Sequence, residues 1–351
     1  MAGARSGDDG KKTRLGVVDA QAALTRPIKP RSRARTPRPD PHDALIGALV
    51  LERYRIEAKL GAGATGSVFR GRHVALPRGV AIKILHDEVA REPTMLARFR
   101  REAEAAGRLH HPNLSGVIDF GATEAGQPLI VMELVEGPSL RAVMDGEPLP
   151  HARIVHLVRH ILRGLDHAHA AGLVHRDLKP DNVIVAAGDV PRIVDFGIAA
   201  LCTDEAVEGG RLTETGTMLG TPLYMAPEQA RGERVDPRVD LFALGVMVFE
   251  MIAGTTPFDG SALEVVVANM EQDLPAIAAR APTARFEPVL ELFLRKLAAR
   301  DKAARFASAN DALAMLDAID ADPADAAVRL GQTDVTRALD VVRLPCHTRR
   351  R

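Results

Sequence analysis

Apolar residues first fall into a regular pattern at Leu49. Alternation over residues 54–60, 67–73 and 79–85 predicts three strands with turn residues between them. Residues 92–109 carry apolar positions at helical spacing among many charges and predict a long helix. Two further strands are predicted at 117–121 and 129–134. After Glu136 and Gly137 the period changes, and 151–171, 238–253, 263–272, 286–299 and 307–319 all predict helices. The fold class is therefore α+β with two lobes. A small lobe of five antiparallel strands and one helix spans about 50–134, and a larger, mainly helical lobe spans about 138–320. The junction at 133–137 predicts a hinge, and the cleft beneath it the ligand site.

The ends break the pattern. RPIKPRSRARTPRPDPHD, residues 26–43, alternates proline with basic residues, so 1–45 is expected to be a disordered tail. Residues 321–351 read as a C-terminal tail, with weak helical pattern in DVTRALDVV. Between the tails, 46–320 forms the domain. The 46 basic side chains balance the 46 acidic ones, so no overall field draws the chain to nucleic acid or membrane. Cys202 and Cys346 are far apart, without disulfide or zinc spacing, which suits a reducing cytoplasm. The N-terminus lacks the apolar stretch of a secretory signal. The best apolar run, 241–252, is shorter than the ~20 residues of a spanning helix and contains Glu250, so it predicts a buried core helix. The expectation is a cytoplasmic protein with no transmembrane segment and no nucleic-acid partner.

Candidate chemistry concentrates in HRDLKPDN, His175 to Asn182. One loop there holds a candidate base, a phosphate-binding cation and a metal ligand. DFG follows at Asp195. Upstream lie GAGATGSV, with Gly61, Ala62, Gly63, Gly66 and Val68, and VAIK, ending at Lys83. A glycine loop alone is common in ordinary turns. Followed by VAIK, HRDLKPDN and DFG in that order, it points to ATP-dependent phosphoryl transfer. Glycines let the loop backbone approach phosphates. Lys83, inside an apolar strand, needs a charged partner. Glu102 is the candidate, while Glu104 would point about 200° away round a helix.

These motifs resemble those of the eukaryotic-like (Hanks-type) serine/threonine protein kinases of bacteria, from Leu51 to Ile319. The resemblance implies an ATP-dependent kinase acting on protein serine and threonine. Lys83, tethered by Glu102, would grip the α- and β-phosphates. Asp177 would accept the substrate hydroxyl proton, and Lys179 would neutralise the transferring phosphoryl group. Asn182 and Asp195 would hold Mg2+ or Mn2+. Leu60, Val68, Ala81, Ile184 and the gatekeeper Met132 would enclose the adenine of ATP, with the backbones of Glu133 and Val135 on the base edge. Glu228 of APEQ would brace Arg305. Asp240 reads either as a support of the catalytic-loop backbone or as a plain helix N-cap.

Regulation is expected between Asp195 and Glu228. Arg176 before Asp177 resembles kinases organised by loop phosphorylation, and Thr213, Thr215 and Thr217 are the candidate sites. A homodimer would serve autophosphorylation in trans. Thr221 would touch Asp177 and Lys179 and line the substrate-docking loop. Two rivals are a nucleotide-sensing pseudokinase and a small-molecule kinase. The complete set of Lys83, Glu102, Asp177, Asn182 and Asp195 disfavours the first, and APEQ the second. The histidine pairs His156/His160 and His167/His169 read as structural. The basic tail admits a linker or a docking arm, and Thr333 and Thr336 are further candidate phosphosites by analogy.

Overall fold

The computed structural model describes residues 44–63, 66–86, 93–196 and 222–332. Its first layer is a six-stranded antiparallel sheet in the order β1-β2-β3-β4-β6-β5. The strands are β1 (Leu49–Val50), β2 (Tyr54–Gly63), β3 (Gly66–His73), β4 (Gly79–Leu85), β5 (Val117–Ala122) and β6 (Pro128–Glu133). Five were expected. The sixth, β1, has two residues and is too short to show alternation. One face of the sheet buries Tyr54, Ile56, Phe69, Ile82, Leu129 and Val131. On the other, α1 (Pro93–Ala106) packs Phe99 and Ala103 against Leu85, Ile130 and Met132.

The second layer is helical. α2 (Leu140–Met144) and α3 (His151–Ala170) precede a hairpin of β7 (Val183–Ala186) and β8 (Val190–Ile193). The described helices after it are α4 (Pro227–Ala230), α5 (Arg238–Ala253), α6 (Ala262–Glu271), α7 (Ile277–Arg280), α8 (Pro288–Leu297), α9 (Ala309–Ala321) and α10 (Pro323–Arg329). Every residue of α5 from Val239 to Ala253 is buried, which is why its sequence is apolar on all sides. No helix among the described residues is long and apolar enough to cross a membrane.

Order extends past 320, where the tail was expected to begin. Asp322 caps α10 by accepting from the N–H groups of Ala324 and Asp325, and Pro323 fits the first turn. Ala326 and Ala327 bury against the main core. Small residues make this contact, so it left little apolar signal in the sequence.

The hinge leaves β6 at Glu133 and runs along β7. Val185 N–H donates to Pro138 O (2.9 Å), and Ser139 bridges to Ile184. Gly137, at φ +149°, is required here, since a Cβ would lie 2.2 Å from Val185 O.

Candidate active site

The loop between α3 and β7 holds the left-handed, non-glycine residue Arg176 (φ +65°), and the segment after β8 holds a second, Asp195 (φ +62°). Each costs ~1–3 kcal/mol and persists only where neighbours over-determine it. Asp240, buried in the first turn of α5, supplies part of that constraint. Its Oδ2 accepts from His175 N–H (2.9 Å) and its Oδ1 from Arg176 N–H (2.9 Å). His169 Nε2 donates to the same carboxylate at 2.8 Å. Burial pushes the Asp240 pKa up, but His169 and the His175 N–H outweigh it, and the carboxyl lies below its ordinary range. Asp240 thus supports the loop backbone, while the N-cap position of α5 is Pro237.

His175 is fully buried and links the two motifs. Asp177 N–H donates to its Nδ1 (3.3 Å), so its Nε2 carries the proton and donates to Val194 O (2.9 Å). Its ring meets Phe196 edge-on at 4.9 Å. Asp177 is half-buried. Lys179 Nζ donates to Asp177 Oδ2 at 2.7 Å. Asn182 Nδ2 donates to Asp177 O (2.8 Å) and reaches Oδ2 at 3.3 Å. The structure therefore brings Asp177, Lys179 and Asn182 into one hydrogen-bonded unit.

Lys83 is buried, and Asp195 Oδ2 lies 3.0 Å from its Nζ. The expected partner was Glu102; in the structure the ammonium takes the carboxylate of Asp195 instead. Glu102 stands on the half-buried face of α1, with Glu104 exposed as the helical phase predicts. Its side chain lines a small void with Phe99, Ala103, Ala106, Val117, Ile130 and Phe196. Sequence spacing alone could not say which carboxylate the buried ammonium holds.

Gly61, Ala62 and Gly63 are exposed at the end of β2. A Cβ at Gly61 would meet nothing within 4 Å, and one at Gly63 would come no nearer than 3.9 Å to Gly66 O. Gly66 differs from the reading that it yields space to phosphates. A Cβ there would lie 2.2 Å from Ile84 O, so close packing on β4 requires it. Val68, Ala81 and Ile184 are half-buried, Met132 is buried and pairs with Ala81, and Leu60 is 54% exposed. Val135 is half-buried in the hinge. Glu133 N–H is committed to Gly116 O (2.9 Å), and Ser115 Oγ–H donates to Glu133 O (3.0 Å).

Three features were not legible in the sequence. The Glu133 side chain joins Arg78 (3.1 Å), Arg192 of β8 and Gly116 N–H (3.4 Å), spanning hinge and both lobes. Burial pushes its pKa up, yet the Arg192 hydrogen bond prevails and holds it low. Arg141 of α2 bonds Glu250 and the Tyr224 hydroxyl, which itself donates to Glu250. Burial and the Glu250 charge push the Tyr224 pKa well up, keeping the phenol neutral. Glu250, an acid in the middle of the otherwise apolar helix α5, was the available signal. Asn269 of α6 donates to Leu223 O (3.2 Å) and Met225 O (3.3 Å), fixing the segment before α4. By contrast, the brace expected from the sequence is present: Glu228 and Arg305 form a bidentate pair at 2.6 and 2.8 Å. Thr213, Thr215, Thr217 and Thr221 lie outside the described residues.

The metal-donor chemistry is that of hard oxygens: the carboxylate of Asp195 and the amide carbonyl of Asn182. Mg2+ is commonly held by one or two such groups together with substrate phosphates, so these residues fit it. Among the described residues no three His, Cys, Asp or Glu side chains cluster as a self-contained metal site.

Comparison with known proteins agrees with this geometry. The protein kinase domain family matches residues 54–316. Serine/threonine-protein kinase pkn3 of Myxococcus xanthus is 40% identical over 284 residues, covering 79% of this chain and 52% of that protein. Serine/threonine-protein kinase PknL of Mycobacterium tuberculosis is 39% identical over 275 residues, covering 78% and 66%. The chain thus spans about half to two thirds of these relatives. Among solved structures, the Mycobacterium tuberculosis PknI kinase domain superposes with a TM-score of 0.61 at 29% identity, covering 78% of this chain and 97% of that one.

Proposed function

The chain belongs to the protein kinase family, and on that premise we propose that it transfers the γ-phosphoryl group of Mg-ATP to serine and threonine hydroxyls of proteins. The observation that carries the reading is the hydrogen-bonded unit of Asp177, Lys179 and Asn182, beside the Lys83–Asp195 pair. Asp177 orients the acceptor hydroxyl and takes its proton. Lys179, 2.7 Å away, offsets charge on the transferring group. Lys83 binds the α- and β-phosphates, and the open space at Gly61 and Gly63 receives them. Glu133 offers the second lone pair of its carbonyl to the base edge, because its N–H is already used. Asp195 and Asn182 hold the divalent ion, Mg2+ or Mn2+, which neutralises phosphate charge when bound.

Lys179 followed by Pro180 favours serine and threonine as acceptors, as do the relatives' names. Activation by autophosphorylation of Thr213, Thr215 or Thr217, in trans within a homodimer, is part of the proposal. So is a cytoplasmic setting, which the two distant cysteines suit.

The test is label transfer from γ-labelled ATP by the purified full-length chain to serine, threonine and tyrosine peptides, beside a metabolite mixture. Label on serine and threonine peptides, lost in Lys83→Met, is expected. Nucleotide binding without transfer would assign a sensing scaffold instead, and label on a metabolite would assign a small-molecule kinase.

A further inference from the structure

Resting on the phosphoryl-transfer reading above, we propose that Gln229 is a positioning residue for Asp177, linking the APEQ segment to the catalytic loop. Gln229 Nε2 donates to Arg176 O at 2.9 Å, and Gln229 Oε1 accepts from Ala226 N–H at 3.1 Å. Both ends of the amide are therefore engaged. The second bond locks the side chain by the reciprocal arm of a helix-capping arrangement, and the first uses that fixed side chain to hold the loop.

The position of the held carbonyl gives the bond its importance. Arg176 C=O belongs to the peptide plane that enters Asp177. The N–H of the same plane donates to His175 Nδ1 at a long 3.3 Å. One plane earlier, Arg176 N–H is held by Asp240. Arg176 itself stands at φ +65°, a conformation that relaxes unless its flanking planes are fixed. Asp240 fixes the plane on one side, and Gln229 is the strong anchor on the other. Rotation of the unanchored plane would swing the Asp177 carboxylate away from Lys179 and Asn182. The bond also makes the geometry of Asp177 depend on the seating of α4. The Glu228–Arg305 pair and the Asn269 bonds to Leu223 and Met225 fix that segment in turn. Docking-segment order and base alignment are thereby one event.

Gln229→Glu separates positioning from structure. Glutamate keeps the acceptor for Ala226 N–H, and a capping-box glutamate is as good for the helix as glutamine. It cannot donate to Arg176 O. The experiment measures kcat, KM for ATP and melting temperature of full-length wild type, Gln229→Glu and the neutral Gln229→Met, with a serine/threonine peptide. The expected result for Gln229→Glu is a kcat lower by about tenfold, as for a coupled catalytic hydrogen bond. Its KM for ATP should stay within about twofold, and its melting temperature should fall no further than that of Gln229→Met. Gln229→Met should lose kcat similarly and also melt lower. Wild-type kcat in Gln229→Glu overturns the proposal and leaves Gln229 a helix cap. Loss expressed in KM for ATP overturns it too. An inactive wild type refutes the kinase reading itself, and is distinct from both.

Discussion

Glu228→Gln tests how far a buried ion pair governs this fold. The two side chains are 4% and 0% exposed, and the contact is bidentate. Removing the carboxylate charge leaves a guanidinium in the core, typically at ~3–5 kcal/mol. With ~2–4 °C of melting temperature per kcal/mol in domains near this size, the loss corresponds to about 6–20 °C. Arg305→Met should cost more. Beyond Glu228, Arg305 donates to Ala299 O (2.7 Å), Arg238 O (3.0 Å) and Arg300 O (3.3 Å), and its guanidinium lies 5.0 Å from the Phe242 ring. Each buried carbonyl left unmatched adds ~1–3 kcal/mol. Glu228→Leu combined with Arg305→Met removes the uncompensated charge but not the orphaned carbonyls, so it should recover only part of the loss. Urea denaturation followed by circular dichroism measures all three. A cost below about 1 kcal/mol for Glu228→Gln, or wild-type stability in the double variant, would refute the reasoning.

Glu133→Gln and Arg192→Met should each raise KM for ATP, and the double variant should be less affected than the sum of the two, because both remove the same contact between hinge and β8; strictly additive effects would deny the coupling. Asp240, Glu133 and Asp236 all titrate below their ordinary range, Asp236 chiefly through its hydrogen bond with Arg238. Their stabilisation is complete above the unfolded carboxyl pKa near ~4 and is lost as pH falls through the lower folded values. Acid unfolding should therefore steepen below about pH 4, and less so in Asp240→Asn; identical acid limbs would contradict the assignment. Chain produced without a phosphatase should carry phosphate on Thr213, Thr215 or Thr217; mass spectrometry of an active preparation with this segment unmodified would exclude control by autophosphorylation.

What the sequence revealed follows from how local the cause was. The strand 79–85 and the helix 238–253 emerged with the expected bounds, because alternation and a continuous apolar run are local signals. β7 and β8, of four residues each, were too short to carry one. The candidate catalytic residues stood out as a motif because phosphoryl transfer restricts which side chains can occupy a short loop. Of their supports, Asp240 was anticipated and the others were not. Gln229 holds a carbonyl 53 positions away, Glu133 meets Arg192 across 59, and Arg141 meets Glu250 across 109. Only the fold makes those pairs neighbours. Glu102 is intermediate: its phase on α1 was predictable, but its choice of partner depends on where α1 and Asp195 stand relative to Lys83.

The most direct test of the central claim is the single-turnover rate of phosphoryl transfer by Asp177→Asn against wild type, with nucleotide affinity measured in both. Asp177→Asn keeps the shape of the loop but removes the carboxylate proposed to take the hydroxyl proton. General-base assistance is typically worth ~10²–10⁴-fold, so the rate should fall by that factor while nucleotide affinity stays near wild type. A variant that transfers phosphate at close to the wild-type rate would contradict the account.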